Sequence, residues 1–343
     1  MNIIDYIKNN KDKDFNELRF TEVDNLILSL LPYIDFKDIV PAFKNKKITL
    51  KEAAEETSHK KHKGIFISNI YKMLAIMKDS KRYKDAYLYN YMSVVNDEMQ
   101  FQALTIKLND NSVYVAFSGT DTSIIGWEED FKMAYLYPGA SQKYATIYLN
   151  KTVGLFDKYV RVGGHSKGGN LSISAVMDSN LLVKRKIKEI FNNDGPGFLK
   201  EQVEAKKYKK IENKIKMYVP EESIIGMILY HVNTYIVVKS KRFSILQHDA
   251  FNWQCNNTSF VNAKLTKRSK TLESKLTKKL EELPINTRIK LVKNIFNIFK
   301  NHNIKDISDI KITNLFKLVK NFTELDKESQ NLLVEFLVII FIK

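Results

Sequence analysis

Cysteine occurs once in these 343 residues, at Cys255. A single thiol excludes an intramolecular disulfide framework and leaves no cysteine pair for a structural zinc site, so a reducing compartment is the simplest setting. Glycine and proline are sparse, at 12 and 6, while 44% of residues are hydrophobic. The chain therefore reads as globular rather than disordered, and it is long enough to bury a large core. Met1-Asn2-Ile3-Ile4-Asp5-Tyr6-Ile7-Lys8 lacks a basic region followed by an apolar one, so no secretory leader is expected. The longest apolar run, Phe336 to Ile342, is too short to span a bilayer. These absences lead to the expectation of a soluble, cytoplasmic protein.

Acidic residues are the scarcer sign, 39 Asp and Glu against 55 Lys and Arg, for a net charge of +16. Such a surplus suits nucleic acid, anionic membranes or acidic substrates. The lysines are spread along the chain and no basic motif interleaved with aromatics stands out, so no nucleic acid is expected and a solvated basic surface is favoured. Fifteen Lys or Arg against five Asp or Glu place about +10 between Lys264 and Lys320. Peripheral contact with an anionic membrane is the alternative expectation for that segment.

The stretch that organises the rest runs from Tyr159 to Asn170. A strand-like alternation enters Gly164-His165-Ser166-Lys167-Gly168, and Asn170 to Met177 continues as a helix, which is G-x-S-x-G in a strand-turn-helix context. A serine hydroxyl is a weak nucleophile until it is lifted clear of the sheet and aimed at a base. The turn that does this is tight enough to exclude side chains at Gly164 and Gly168. The amide of Lys167, opening the helix, then faces a developing oxyanion with the helix dipole in its favour.

Ahead of this turn, residues 1–85 read as helical. Thr21 caps an apolar stripe of Leu26, Ile27, Leu30 and Leu31, and Thr49-Leu50-Lys51-Glu52 is a capping box. His59 and His62 have no carboxylate or cysteine at ligand spacing, so no metal is expected there. Strands are expected at Tyr87–Val95, Gln100–Leu108 and Val113–Ser118, antiparallel at one edge of a sheet. The third ends in Gly119-Thr120, where a backbone amide just beyond the sheet supplies the other half of an oxyanion hole. Ser123 to Phe131, containing Ile124, Ile125 and Trp127, reads equally as a mobile lid over an acyl pocket or as a helix packing Trp127 into the core. Ser141 to Phe156 is the crossover helix.

Downstream, strands at Lys188–Asn193, Lys214–Val219 and Tyr235–Lys239 lead into Asp194, Glu221-Glu222 and the loop bearing His248. Loops at the carboxyl ends of parallel strands are where α/β proteins build sites. Asp194, Glu221 and Glu222 are thus candidate acids and His248 the candidate base, and serine, acid, histidine is the α/β-hydrolase order. His165 is expected to point away from Ser166, and His231 to lie on a helix. Beyond Cys255 the chain reads as helices, with boundaries at Pro284 and Asp326 and an apolar face of Ile289, Leu291, Val292, Ile295, Phe296, Ile298 and Phe299.

Val115 to Thr120, Trp127, Asp130, Gly164 to Gly169 and His248 together resemble the class 3, fungal-type lipase branch of the α/β-hydrolases. The chain is closer still to a lipase-like bacterial family of unestablished function, over roughly residues 15 to 255. The resemblance implies an α/β-hydrolase fold: a mostly parallel sheet with antiparallel edge strands and helices on both faces. Helical additions at 1–85 and 256–343 would flank a core at 86–255. It implies Ser166 as nucleophile, His248 as base, the amides of Thr120 and Lys167 as oxyanion hole, and Ser123 to Phe131 as lid. Ser118 stands where the lipases have an arginine, and their aspartate before Val-Pro has no equivalent. The acid falls among Glu222, Glu221 and Asp194, with Glu222 preferred by strand position and Asp194 next. The implied reaction is hydrolysis of a carboxylic ester, lipid-like or another small molecule, with no metal and no organic cofactor. A non-catalytic hydrolase-fold protein, bound through its basic helices to an anionic membrane or partner, is the alternative.

Overall fold

The structure is a computed structural model that describes residues 1–42, 46–231, 234–306, 309–310 and 327–341. Its strands are β1 (Ile48–Thr49), β2 (Tyr87–Val95), β3 (Gln100–Lys107), β4 (Val113–Phe117), β5 (Val160–His165), β6 (Ile187–Asn193), β7 (Ile215–Pro220) and β8 (Ile236–Val238). They form one eight-stranded sheet in sequence order. The pairings from β1 to β4 are antiparallel and those from β4 to β8 are parallel. The helices are α1 (Ile3–Asn9), α2 (Glu22–Leu30), α3 (Leu50–Thr57), α4 (Ile65–Met77), α5 (Ile124–Lys132), α6 (Ala140–Thr152), α7 (Lys167–Asp178), α8 (Leu181–Lys186), α9 (Lys200–Glu204), α10 (Lys206–Lys209), α11 (Lys267–Glu282), α12 (Ile285–Asn301) and α13 (Lys327–Phe341). Helices cross over between β4 and β5, β5 and β6, and β6 and β7. This is the α/β-hydrolase architecture.

The alternation read in the strands sorts residues between two cores. Val113, Val115 and Phe117 of β4 join Val160 and Val162 of β5 under α6 and α7, while Tyr114 and Ala116 point to the opposite face, under α1 to α4. A third apolar cluster joins Ile124 of α5 to Val292, Ile295, Phe296 and Phe299 of α12 and Leu337 of α13. The two caps read in the N-terminal region hold: Thr21 and Thr49 each accept the amide three residues on, and Asp24 and Glu52 reach back to the cap amides. Pro284 stands at the start of α12 as expected, whereas Asp326 lies outside the described residues. His231 is in a loop before β8 rather than on a helix. The two-residue strand β1 was too short to show any periodicity.

The N-terminal helices are part of the main core. Helix α2 packs on β4 and β5, and its Asp24 is the hub of a fully buried cluster. Asp24 accepts from Arg82 Nε at 2.7 Å, from Arg82 Nη2 at 2.5 Å, from Tyr83 Oη at 2.6 Å and from Tyr6 Oη at 3.0 Å. Removing one partner of such a pair leaves the other charge buried and uncompensated. Arg82→Leu is therefore expected to cost about 3–5 kcal/mol, read as a lowered midpoint in urea unfolding.

Candidate active site

The carboxyl end of β5 runs straight into the turn at Ser166, whose φ of 57° and ψ of −134° lie outside the regions an ordinary serine adopts. Close backbone approach enforces this conformation. A Cβ on Gly164 would sit 2.2 Å from the carbonyl carbon of Gly168, and one on Gly168 would sit 2.1 Å from the carbonyl oxygen of Phe117. The Ser166 amide donates to Asn193 O at 2.9 Å, which ties the turn to the end of β6. Both glycines of the motif are thus required by geometry, as their spacing implied.

Asp194, at the end of β6, is fully buried and also has a positive φ, 53°. Its Oδ2 lies 2.7 Å from His248 Nδ1, while its Oδ1 accepts from Ser223 Oγ and from the Gly226 amide at 3.2 Å. A carboxylate on Nδ1 places the proton on that nitrogen and leaves Nε2 with its lone pair. The expected order of acids is therefore corrected: the carboxylate against His248 is that of Asp194. Glu222 accepts the Ser244 amide instead, and Glu221 accepts the Ser240 amide at 3.1 Å. Both glutamates leave β7 facing the loop between β8 and the histidine, so they support its backbone. Among the described residues no hydrogen bond ties Ser166 Oγ to His248. Such contacts commonly tighten only when substrate is bound.

His165, expected to point away from Ser166, packs its ring against Tyr33, Phe66 and His248. Its ring lies 4.7 Å from that of His248, its Nε2 is 2.8 Å from His248 O, and its Nδ1 is 3.2 Å from Tyr33 Oη. The carbonyl can only accept, so Nε2 carries the hydrogen and Nδ1 accepts from Tyr33. Burial, with the neighbouring His248 adding to it, pushes the His165 pKa down to about 3 and keeps the ring neutral. Asn192 braces the acid in a similar way, accepting the Gly195 amide at 2.7 Å and donating to Gly195 O at 3.1 Å. No motif marks Ser223 or Tyr33 in the sequence, since each acts through contacts between distant segments, and the bonds of Asn192 to Gly195, though local, belong to no motif.

Lys167 opens α7, where first-turn amides have no intrahelical acceptor. Gly119 presses against Ser166, with a Cβ there 2.8 Å from the serine Cβ, so Thr120 stands beside Ser166. The side chains of Thr120 and Lys167 converge on α5. Thr120 Oγ1 donates to Asp130 Oδ2 at 2.5 Å, and the fully buried Lys167 Nζ reaches Glu129 Oε2 and Gln100 O at 3.0 Å and Asp130 Oδ1 at 3.7 Å. Burial opposes the Lys167 charge, but Asp130 and Glu129 outweigh it and hold its pKa above the usual value. The Asp130 pKa is raised as well, pushed up by burial to about 6 against the lowering influence of Lys167 and of the Thr120 hydrogen bond.

Helix α5 is therefore fastened from below by Lys167. It is fastened from above by Lys300, 2.7 Å from Glu128, and by the Ile124 amide donating to Lys305 O at 3.0 Å. Ile124 is buried against α12, Ile125 is half-buried, and Trp127 lines a cavity of about 150 Å³ that also touches Ser166 and Lys167. No helix among the described residues is long and apolar enough to cross a membrane, and none of their acidic, histidine and cysteine side chains group as a metal site.

A folded pKa above the unfolded one means that Asp130 contributes stability fully below pH 3.8 and loses it as pH rises through about 6. The stability of the parent protein over Asp130→Asn is accordingly expected to be greater at pH 5 than at pH 7, by roughly 1 kcal/mol, in paired urea titrations.

Comparison with known proteins adds three findings. The Mbeg1-like family model matches residues 77–297, from the end of α4 to within α12 and so beyond the limit of 255 expected from the motifs. No curated protein matches. Among solved structures, the crystal structure of M37 lipase is similar at 16% identity and a TM-score of 0.34, over 50% of this chain. The match spans 64% of that lipase, less than two thirds of its length.

Proposed function

The chain belongs to the Mbeg1-like family, and we propose that it is a lipase-like serine hydrolase that cleaves a carboxylic ester through an acyl-enzyme on Ser166. The observation that carries this reading is the His248 Nδ1 to Asp194 Oδ2 contact of 2.7 Å beside a serine on a strained strand-to-helix turn. In the first step Ser166 Oγ attacks the ester carbonyl carbon while His248 Nε2 takes the hydroxyl proton. Asp194 holds the ring by Nδ1 and stabilises the imidazolium. The carbonyl oxygen becomes an oxyanion and is received by the amides of Thr120 and Lys167. Collapse of the tetrahedral intermediate breaks the bond to the alcohol, which leaves with the proton from His248. A water then repeats the sequence on the acyl-enzyme, releasing the carboxylic acid and restoring Ser166.

The neutral His165 holds the His248 backbone without competing for the proton, and its low pKa removes a second positive charge from beside the imidazolium. The Asp130 bridge couples the two oxyanion residues, so the hole is set before substrate arrives. Access from an anionic lipid surface is compatible with the basic C-terminal helices and stands as part of the same reading.

A fluorophosphonate probe tests the proposal directly. The parent protein is expected to label, and Ser166→Ala and His248→Ala to abolish labelling. Asp194→Asn, which leaves the wrong ring tautomer, is expected to slow labelling by about 10³–10⁴-fold, and Glu222→Gln to leave it within about threefold. A folded parent protein that does not label even with detergent or lipid vesicles present overturns the proposal.

A further inference from the structure

The cavity beside Ser166 has its roof in a part of the chain that the catalytic reading does not use. Leu276 and Leu280 of α11, Leu291, Val292 and Ile295 of α12, and Leu333 of α13 form that roof, over a floor of Trp127, Phe131 and Ile228. The two cations on its wall, Lys167 and Arg288, bond to protein groups. Lys167 is bonded to Glu129 and Gln100, and Arg288 directs three of its five N–H donors to the carbonyls of Leu283 at 2.9 Å, Ala134 at 3.1 Å and Glu281 at 3.4 Å. Asp130 Oδ1 has no hydrogen bond among the described residues beyond its 3.7 Å pairing with Lys167, and a carboxylate oxygen there disfavours an anionic group. The rest of the lining is mainly hydrocarbon, and a largely apolar cavity of this kind takes apolar guests.

We propose that this cavity is the acyl-chain pocket of the Ser166 site and that α11 and α12, outside the strand-and-helix core of the hydrolase, set the acyl length. The proposal rests on the reading of Ser166 as nucleophile, and it assigns the substrate an uncharged alkyl chain on the acyl side of the ester. The roof is built for the role by its sequence: α12 turns Leu291, Val292 and Ile295 inward while Lys290, Lys293 and Lys300 of the same helix are exposed. It is also held in register with the nucleophile. Lys300 pairs with Glu128 and Arg288 with the carbonyl of Ala134, at opposite ends of the short segment that carries Trp127, Asp130 and Phe131. An alkyl chain leaving a Ser166 ester therefore meets side chains of α11 and α12 within the cavity.

Leu280→Trp and Leu291→Trp shorten the cavity at two half-buried positions of its roof, with Leu291→Met as the control that keeps its volume. The measurement is kcat/KM for the acetyl and octanoyl esters of p-nitrophenol, with fluorophosphonate labelling of each variant. The octanoyl ester is expected to lose at least about tenfold in both tryptophan variants while the acetyl ester stays within about threefold and Leu291→Met behaves as the parent. Parallel loss of both esters, or no change in either, overturns the pocket assignment while labelling of the parent leaves the serine-hydrolase reading standing. A second readout does not need the nucleophile: Ser166→Ala protein is expected to bind a pyrene-labelled long-chain alcohol, and Leu291→Trp in that background to weaken binding at least about tenfold. Absence of binding in Ser166→Ala overturns the pocket whatever the labelling shows.

Discussion

A serine held at a φ of 57° between two glycines is a costly local arrangement, and much of the molecule is built to hold it there. Strain of this kind persists only where the surroundings leave the backbone no alternative. Here β4 closes from one side, since the Phe117 carbonyl blocks any side chain at Gly168. The end of β6 closes from the other, since the Asn193 carbonyl binds the Ser166 amide. The parallel register of β4, β5 and β6 aligns those two ends, so the turn inherits its precision from the sheet. The N-terminal helices contribute through α2, where Asn25 bonds Asn193 across the face of β5.

The same turn places a buried cation under α5. A lysine directly after Ser166 is an expensive choice in a dry site, because its ammonium must find partners or lose its charge. Glu129 and Asp130 are those partners, and Asp130 in turn accepts from Thr120. The result is a short chain of contacts from one side of the candidate oxyanion site to the other through α5. A segment that carries such contacts below, and α12 above, is poorly suited to swing as a lid.

The carboxylate against His248 comes one strand earlier than strand position suggested. Met217-Tyr218-Val219-Pro220 contains the Val-Pro but no acid, and its two following glutamates turn to the backbone of the histidine loop. Asp194 reaches His248 because its turn, pinned by Asn192, aims the carboxylate across the end of β7. The supports that make this possible, Ser223 and Gly226, follow β7, so the segment that failed to supply the acid instead orients it.

Local patterns were enough to locate the strands and the turn. Alternation gave the strands of the sheet, glycine spacing gave the turn at Ser166, and Thr21 and Thr49 announced their helices, because each rests on contacts within a few residues. Choosing among Asp194, Glu221 and Glu222 was beyond such patterns, since all three follow parallel strands and differ only in which loop they meet. The apolar face of α12 was equally plain in the chain, but periodicity says that a face is buried and not what buries it. Only the folded arrangement brought that face over Ser166, for the physical reason that partners far apart in sequence are chosen by packing and not by local propensity.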